Sequence, residues 1–315
     1  MGKRESGKRE TGKGAGKRVS LVLGSGGARG LAHIGVIQCL EERGYRIESI
    51  AGASMGALVG GIHAAGELPT YRDWVCALSR TDVLRFLDFA FSAGGLFKGD
   101  RIMDTLREMV GDHNIEELPI AYTAVATDID RQREVWISKG PLFDAIRASI
   151  AVPTVFTPHR YLGLTLVDGG LLNPVPIAPT FRDRTDLTIA VNLNGPDKIP
   201  GRPERGRDRE PEALPKDDLV SRIRLFLDGI GGNLGQGEAA DLGLFELVSR
   251  SIDTMQNAIK AVKLAAYAPD VVIEVPRDAC GAHEFYRARE IIDLGYRLAQ
   301  ASMGGRGGSA TCPSA

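Results

Sequence analysis

The sequence predicts an α/β protein in three layers, with a mostly parallel central sheet held between helices. Two observations carry this. The first 66 residues hold two strand–turn–helix units in succession, the pattern that joins parallel strands through helical crossovers. A further apolar strand, Val271–Val275, follows a long polar insertion, so the C-terminal part is expected to rejoin the same sheet. With 315 residues, 43% hydrophobic and 25% charged, the chain can bury a substantial core.

The elements follow in order. Val19–Leu23 is an apolar run suited to a strand buried on both faces. Ala32, Gly35, Val36, Cys39 and Leu40 then recur at helical spacing, and Gly44 is the expected helix end. The stretch IESIAGASMGALVGGIHAAG repeats the scheme: a strand into Ile50–Ala51, a tight turn over Gly52–Gly56, and a small-residue helix ending near Gly66. Val83–Phe97 carries Phe86, Phe89, Phe91 and Phe97, and reads either as core or as an apolar flap beside a cleft. IAYTAVATDID and REVWIS alternate like paired strands with Arg131-Gln132 at their turn. LFDAIRASIAVP is helical up to Pro153, LTLVDGG is a strand ending in a turn, and DLTIAVNLN is a buried strand. A helical region precedes Val271–Val275, and a last helix spans about His283–Gln300.

Three segments stand apart. Residues 1–18 hold seven Lys/Arg against two Glu in a crude GKRES-GKRET repeat, without an apolar run of the secretory kind. They read either as a solvated tail or as a polybasic arm attracted to an anionic membrane. Gly2 and Ser6 also fit a short acylation pattern. Residues 195–218 are rich in Pro and charge and read as an exposed loop within one domain spanning 19–300. Residues 301–315 read as a flexible tail. A net charge of −1 argues against a nucleic-acid partner, and no run is long and charge-free enough to span a bilayer. Cys39, Cys76, Cys280 and Cys312 lack metal or disulfide spacing. A cytoplasmic protein, peripheral at most on the inner membrane face, is expected.

The chemistry is concentrated at three turns. Gly52-Ala53-Ser54-Met55-Gly56 matches G-x-S-x-G between an apolar strand and a helix. That setting strains the serine backbone and leaves the hydroxyl standing clear. Gly24-Ser25-Gly26-Gly27-Ala28-Arg29-Gly30 is a glycine-dense turn opening a helix, which presents N–H donors to negative charge. Asp168 ends a strand before Gly169-Gly170, where it either projects into a cleft or bonds its own turn. A serine needs a base, and a Ser-His-Asp arrangement would draw on His63, His113, His159 or His283, with His283 at the expected late position; His33 lies upstream.

The ordered set GSGGARG, GASMG and DGG resembles the patatin-like phospholipases, above all the bacterial RssA-like branch related to neuropathy target esterase. SAGGLFKGDRI, ELPIAYTAVATDID, IRASIAVPTVFTP and LVDGGLLNPVP extend the likeness over about Val19–Asn194. The resemblance implies a patatin-like fold and a Ser-Asp dyad without a catalytic histidine. In it Ser54 is the nucleophile and Asp168 the general base, Gly52 and Gly56 shape the first motif, and Gly169 and Gly170 shape the last. Backbone N–H groups of Gly26 and Gly27, with Arg29 holding or polarising the loop, form the oxyanion hole. Ser25 stands where the family places another glycine. The implied activity is hydrolysis of lipid carboxylic esters (phospholipid, lysophospholipid or related) through an acyl-enzyme, with no cofactor and no metal. A homodimer is compatible with this.

Two other classes compete with this reading. A catalytically idle lipid-binding module could share the fold. A dinucleotide-binding protein would use the first turn with Glu48 on a ribose, but the spacing here is G-x-G-x-x-x-G with Arg29 at the third-glycine position.

Overall fold

Apolar runs bounded by glycine turns generate a sheet of eight strands in a computed structural model that describes residues 16–86, 99–153, 155–197 and 244–304. The strands are β1 (Arg18–Leu23), β2 (Arg46–Ala53), β3 (Ala121–Asp128), β4 (Arg133–Ile137), β5 (His159–Tyr161), β6 (Leu164–Asp168), β7 (Leu187–Gly195) and β8 (Val271–Pro276). Their order is β5-β6-β3-β2-β1-β7-β8, with β4 also on β3. From β3 through β2, β1 and β7 to β8 every pairing is parallel. The β3–β4, β3–β6 and β5–β6 pairings are antiparallel. The sheet is mixed and mostly parallel, and β8 does rejoin it.

The helices are α1 (Ala32–Glu42), α2 (Met55–Ala64), α3 (Leu68–Ala77), α4 (Arg80–Phe86), α5 (Asp100–Val110), α6 (Leu142–Ser149), α7 (Leu244–Tyr267) and α8 (Ala288–Gly304). Strand alternation separates two faces. Val19, Leu21 and Leu23 of β1, with Ile189, Val191 and Leu193 of β7, join the main core with α1, α2, α6 and α8. Val22 and Ala190 point the other way, onto Val175, Ile177 and the Leu264 and Tyr267 side chains of α7. Among the described residues the layers are therefore unequal, because α7 and the segment carrying Val175 and Ile177 cover the second face.

Several boundaries differ from the sequence expectation. The turn expected over Gly52–Gly56 contracts to Ser54 alone, because Gly52 and Ala53 are still strand and Met55 is already helix. The last helix starts at Ala288 rather than near His283, and it runs to Gly304 into the segment expected to be a tail. The helix before Pro153 ends at Ser149. Arg18 lies in β1 rather than in the tail. Helices α3, α4 and α5 add to the expected elements. Residues 1–15, 87–97, 198–218 and 305–315, which hold most of the basic arm, the aromatic stretch, the polar loop and the C-terminal tail, lie outside the described residues.

Candidate active site

The site is assembled at the C-terminal edge of the sheet by β3. On one edge of β3, β4 pairs with residues 124–128. On the other edge, β2 runs parallel up to Ala53↔Val125, and β6 arrives antiparallel with Asp168↔Ala126. The ends of β2 and β6 thus meet head to head, which brings Ser54 and Asp168 together.

Ser54 has φ 55° and ψ −125°, a region that a non-glycine residue occupies at a cost of about 1–3 kcal/mol. Close packing around it explains the motif spacing. A Cβ at Gly52 would collide with the Gly56 carbonyl, and one at Gly56 with the Leu23 carbonyl. The Ser54 N–H donates to Ser149 Oγ at 2.9 Å, and that hydroxyl donates onward to the Val125 carbonyl at 2.6 Å. Both bonds are buried. Ser149 had no role in the sequence reading; its only signal was its place in the IRASIAVPTVFTP segment. Ser149→Ala is expected to lower the unfolding free energy by about 1–3 kcal/mol, because it strands the buried Ser54 N–H; denaturant titration checks this.

Asp168 is 3% exposed. Its Oδ1 accepts the Gly170 N–H at 2.7 Å, and its own carbonyl accepts the Thr127 hydroxyl at 3.0 Å. Asp168 therefore closes its own turn through one oxygen, and the other is left over. Oδ2 is buried and accepts no hydrogen bond. Burial pushes the carboxyl pKa up from 3.8 to about 6, opposed by the nearby Ser54 hydroxyl and the Gly170 N–H. The Ser54 hydroxyl is thus within electrostatic reach of Asp168 without closing a bond to Oδ2.

The glycine loop lies alongside. The amides of Gly24, Ser25 and Ala28 donate to the carbonyls of Val191, Pro174 and Ala282 at 3.1, 2.9 and 2.8 Å. Among the described residues, the Gly26 and Gly27 amides have no backbone acceptor. Arg29 Nε donates to the Gly26 carbonyl at 3.2 Å, and its Nη1 to the Arg277 carbonyl at 3.3 Å. A planar trans peptide points its N–H opposite its C=O, so this clamp aims the Gly27 N–H away from Arg29. Gly27 has φ 56°, and a Cβ there would lie 2.6 Å from the Ala282 oxygen. Ser25 Oγ is buried without a partner and stands against Gly170.

Four of the five histidines are occupied elsewhere, and His283 follows Ala282, whose carbonyl accepts the Ala28 N–H. His33 Nε2 bonds the Gly24 carbonyl at 2.9 Å, and burial lowers its pKa to about 4. His63, also lowered to about 4 by burial, lies 3.7 Å from Glu41. His113 bonds the Val110 carbonyl, and His159 lies beside Asp144 and stacks on Tyr161. His283 is exposed, in the turn before α8. Glu48 does not serve the dinucleotide reading. Leu23, at the loop end of β1, faces Gly52, whereas Glu48 lies four residues back toward the far end of β2.

The molecule is thus an α/β protein with a strained serine at a strand–helix junction, a buried carboxylate of raised pKa and a glycine loop with two amides lacking a backbone acceptor among the described residues. The patatin-like phospholipase pattern matches residues 21–181. An uncharacterized NTE family protein of Mycobacterium tuberculosis is 43% identical over 91% of both chains. The chain belongs to the patatin-like phospholipase family. It is also 32% identical to a lysophospholipase of Emericella nidulans over 58% of this chain and 12% of that one. Human patatin-like phospholipase domain-containing protein 6 is 28% identical over 92% of this chain and 20% of its own length. The chain thus matches only a fraction of these two longer proteins. No helix among the described residues is long and apolar enough to cross a membrane.

Proposed function

We propose that the protein is a serine acyl hydrolase acting on carboxylic esters of lipids. The observation that carries this is Ser54, held at φ 55° beside a buried carboxylate whose pKa is raised to about 6. In this reading Ser54 Oγ attacks the ester carbonyl carbon while Asp168 Oδ2 takes its proton. The negative charge on the carbonyl oxygen rests on the Gly26 and Gly27 amides, with Arg29 fixing their peptide. Collapse breaks the carbon–oxygen bond to the alcohol, which leaves with the proton from Asp168, and Ser54 is acylated. Water then attacks the acyl-enzyme, Asp168 takes its proton, and the acid departs as Ser54 recovers its hydrogen.

An aspartate is a poor base in water. Burial raises its basicity, and donors preorganised for the oxyanion contribute about 2.7–4 kcal/mol each. The names of the longer relatives, one a lysophospholipase and one a patatin-like phospholipase, support a lipid ester as substrate. Labelling by a fluorophosphonate probe that is lost in Ser54→Ala tests the reading, and an unlabelled wild-type protein would leave an idle module on this fold.

The pH dependence follows from Asp168. It must be ionised to act as base, so kcat/KM on a soluble p-nitrophenyl ester is expected to fall tenfold per unit below about pH 6 and to level off above it. A rate that rises on acidification through that range would exclude Asp168 as the base.

A further inference from the structure

Two hairpin tips project from the C-terminal end of the sheet, the end at which Ser54 lies. β5 and β6 are joined by Leu162-Gly163 between the paired residues Tyr161 and Leu164. Both turn residues have positive φ, 49° and 76°, the signature of a type I′ turn that favours Asn-Gly. Leucine is a poor choice there on two counts: its backbone is strained, and its side chain is 83% exposed. Neither local turn chemistry nor packing among the described residues accounts for it.

The second tip is adjacent. β3 and β4 are joined by Ile129-Asp130-Arg131-Gln132, and Ile129 is 43% exposed. The Ile129 N–H donates to the Thr165 carbonyl of β6 at 3.1 Å, and Thr165 is paired with Arg160 on β5. Exposed Arg131, Arg133 and Arg160 therefore surround the two apolar tips. The buried Asp128 carboxylate takes Arg131 at 3.1 Å and Arg133 at 3.7 Å; the other acids nearby are exposed Asp130, Asp144 at 3.8 Å from His159, and Glu134, which bonds Lys263 and Asn173. The outward face is basic with apolar points. From Asp168 to Leu164 is four strand steps, so the tip stands about 13 Å beyond the carboxylate.

We propose that these two hairpin tips dock the protein onto an anionic lipid bilayer, with Leu162 and Ile129 entering the headgroup boundary and the arginines meeting the headgroups. Shallow apolar insertion backed by cationic side chains is how interfacial proteins bind. The proposal deepens the proposed function and takes its lipid substrate from that reading, but the docking itself is measured without catalysis.

The experiment is flotation of the full-length protein with vesicles of phosphatidylcholine, with and without phosphatidylglycerol, comparing wild type with Leu162→Asn and Arg160→Glu. Any contribution of residues 1–18 is common to all three. Leu162→Asn is expected to weaken partition onto the anionic vesicles about tenfold, the effect of withdrawing part of one leucine from the apolar phase. Its thermal midpoint should hold or rise, because Asn tolerates positive φ. Turnover of a soluble p-nitrophenyl ester should not change. Arg160→Glu should weaken binding at low salt and converge on wild type at high salt. Equal partition of wild type and Leu162→Asn overturns the proposal, as does equal binding to neutral and anionic vesicles. A lowered thermal midpoint for Leu162→Asn also overturns it, by showing that Leu162 serves packing. Leucine-dependent binding by a protein that hydrolyses no ester would support the docking surface while removing the proposed function.

Discussion

Replacing Asp168 with Asn is expected to abolish ester turnover and, at neutral pH, to make the fold more stable. The two effects have one cause. Burial raises the carboxyl pKa from 3.8 to about 6, so between those values the folded protein binds more protons than the unfolded chain. Stability then falls as pH rises from about 4 through 6, and above 6 the ionised carboxylate leaves a constant penalty of about 3 kcal/mol. Asparagine keeps an oxygen for the Gly170 N–H and carries no charge, so the penalty disappears. Activity should drop by about 10²–10⁴-fold, the usual worth of a general base. Denaturant unfolding at pH 4 and pH 8 checks the first effect, since the variant's advantage should appear only at the higher pH. Equal stability at pH 8 would mean that Asp168 is not a strained base. Near-full activity in Asp168→Asn together with its loss in His283→Ala would replace the dyad with a histidine mechanism.

The second large effect is at Ser54. Ser54→Ala and Ser54→Gly should both lose at least about 10⁴-fold in activity, as expected for a nucleophile. They should differ in stability. Alanine retains the cost of φ 55°, whereas glycine occupies that region freely, so Ser54→Gly should unfold about 1 kcal/mol later than Ser54→Ala after the extra entropy of its unfolded chain is counted. Indistinguishable unfolding curves would show that the turn is unstrained, and residual turnover in both variants would show that Ser54 is not the nucleophile.

Much of the architecture is legible in the sequence because its local rules are strict. An apolar run, a glycine turn and a helical repeat placed β1 with α1 and β2 with α2. The alternation in residues 121–137 placed the β3–β4 hairpin, and Val271–Val275 placed β8. Helices α3 and α5 are legible too, since Leu68, Tyr71 and Val75 in one and Met103, Leu106 and Val110 in the other recur at helical spacing and are buried. Glycines usually mark turns, so the sequence predicts a wider turn at Ser54 than the single residue found. Here Gly52 and Gly56 instead allow the Gly56 and Leu23 carbonyls to approach closely. Ser149 carries no signal of its own in the sequence, because a serine at a helix end is ordinary and only the fold sets its hydroxyl between Ser54 and Val125.

The sequence alone determined the elbow and its requirements. Glycines stand two residues before and after Ser54, and a serine set between a strand and a helix is expected to take up a strained backbone. It located the glycine-dense turn, whereas the positive φ of Gly27 and its close approach to Ala282 belong to the tertiary structure. Only the tertiary structure decided that Ser54 and Asp168 meet, because β2 and β6 end against each other on a single edge of β3. It also decided how basic Asp168 is, because a carboxyl's pKa depends on its solvation, and solvation depends on every segment packed around it.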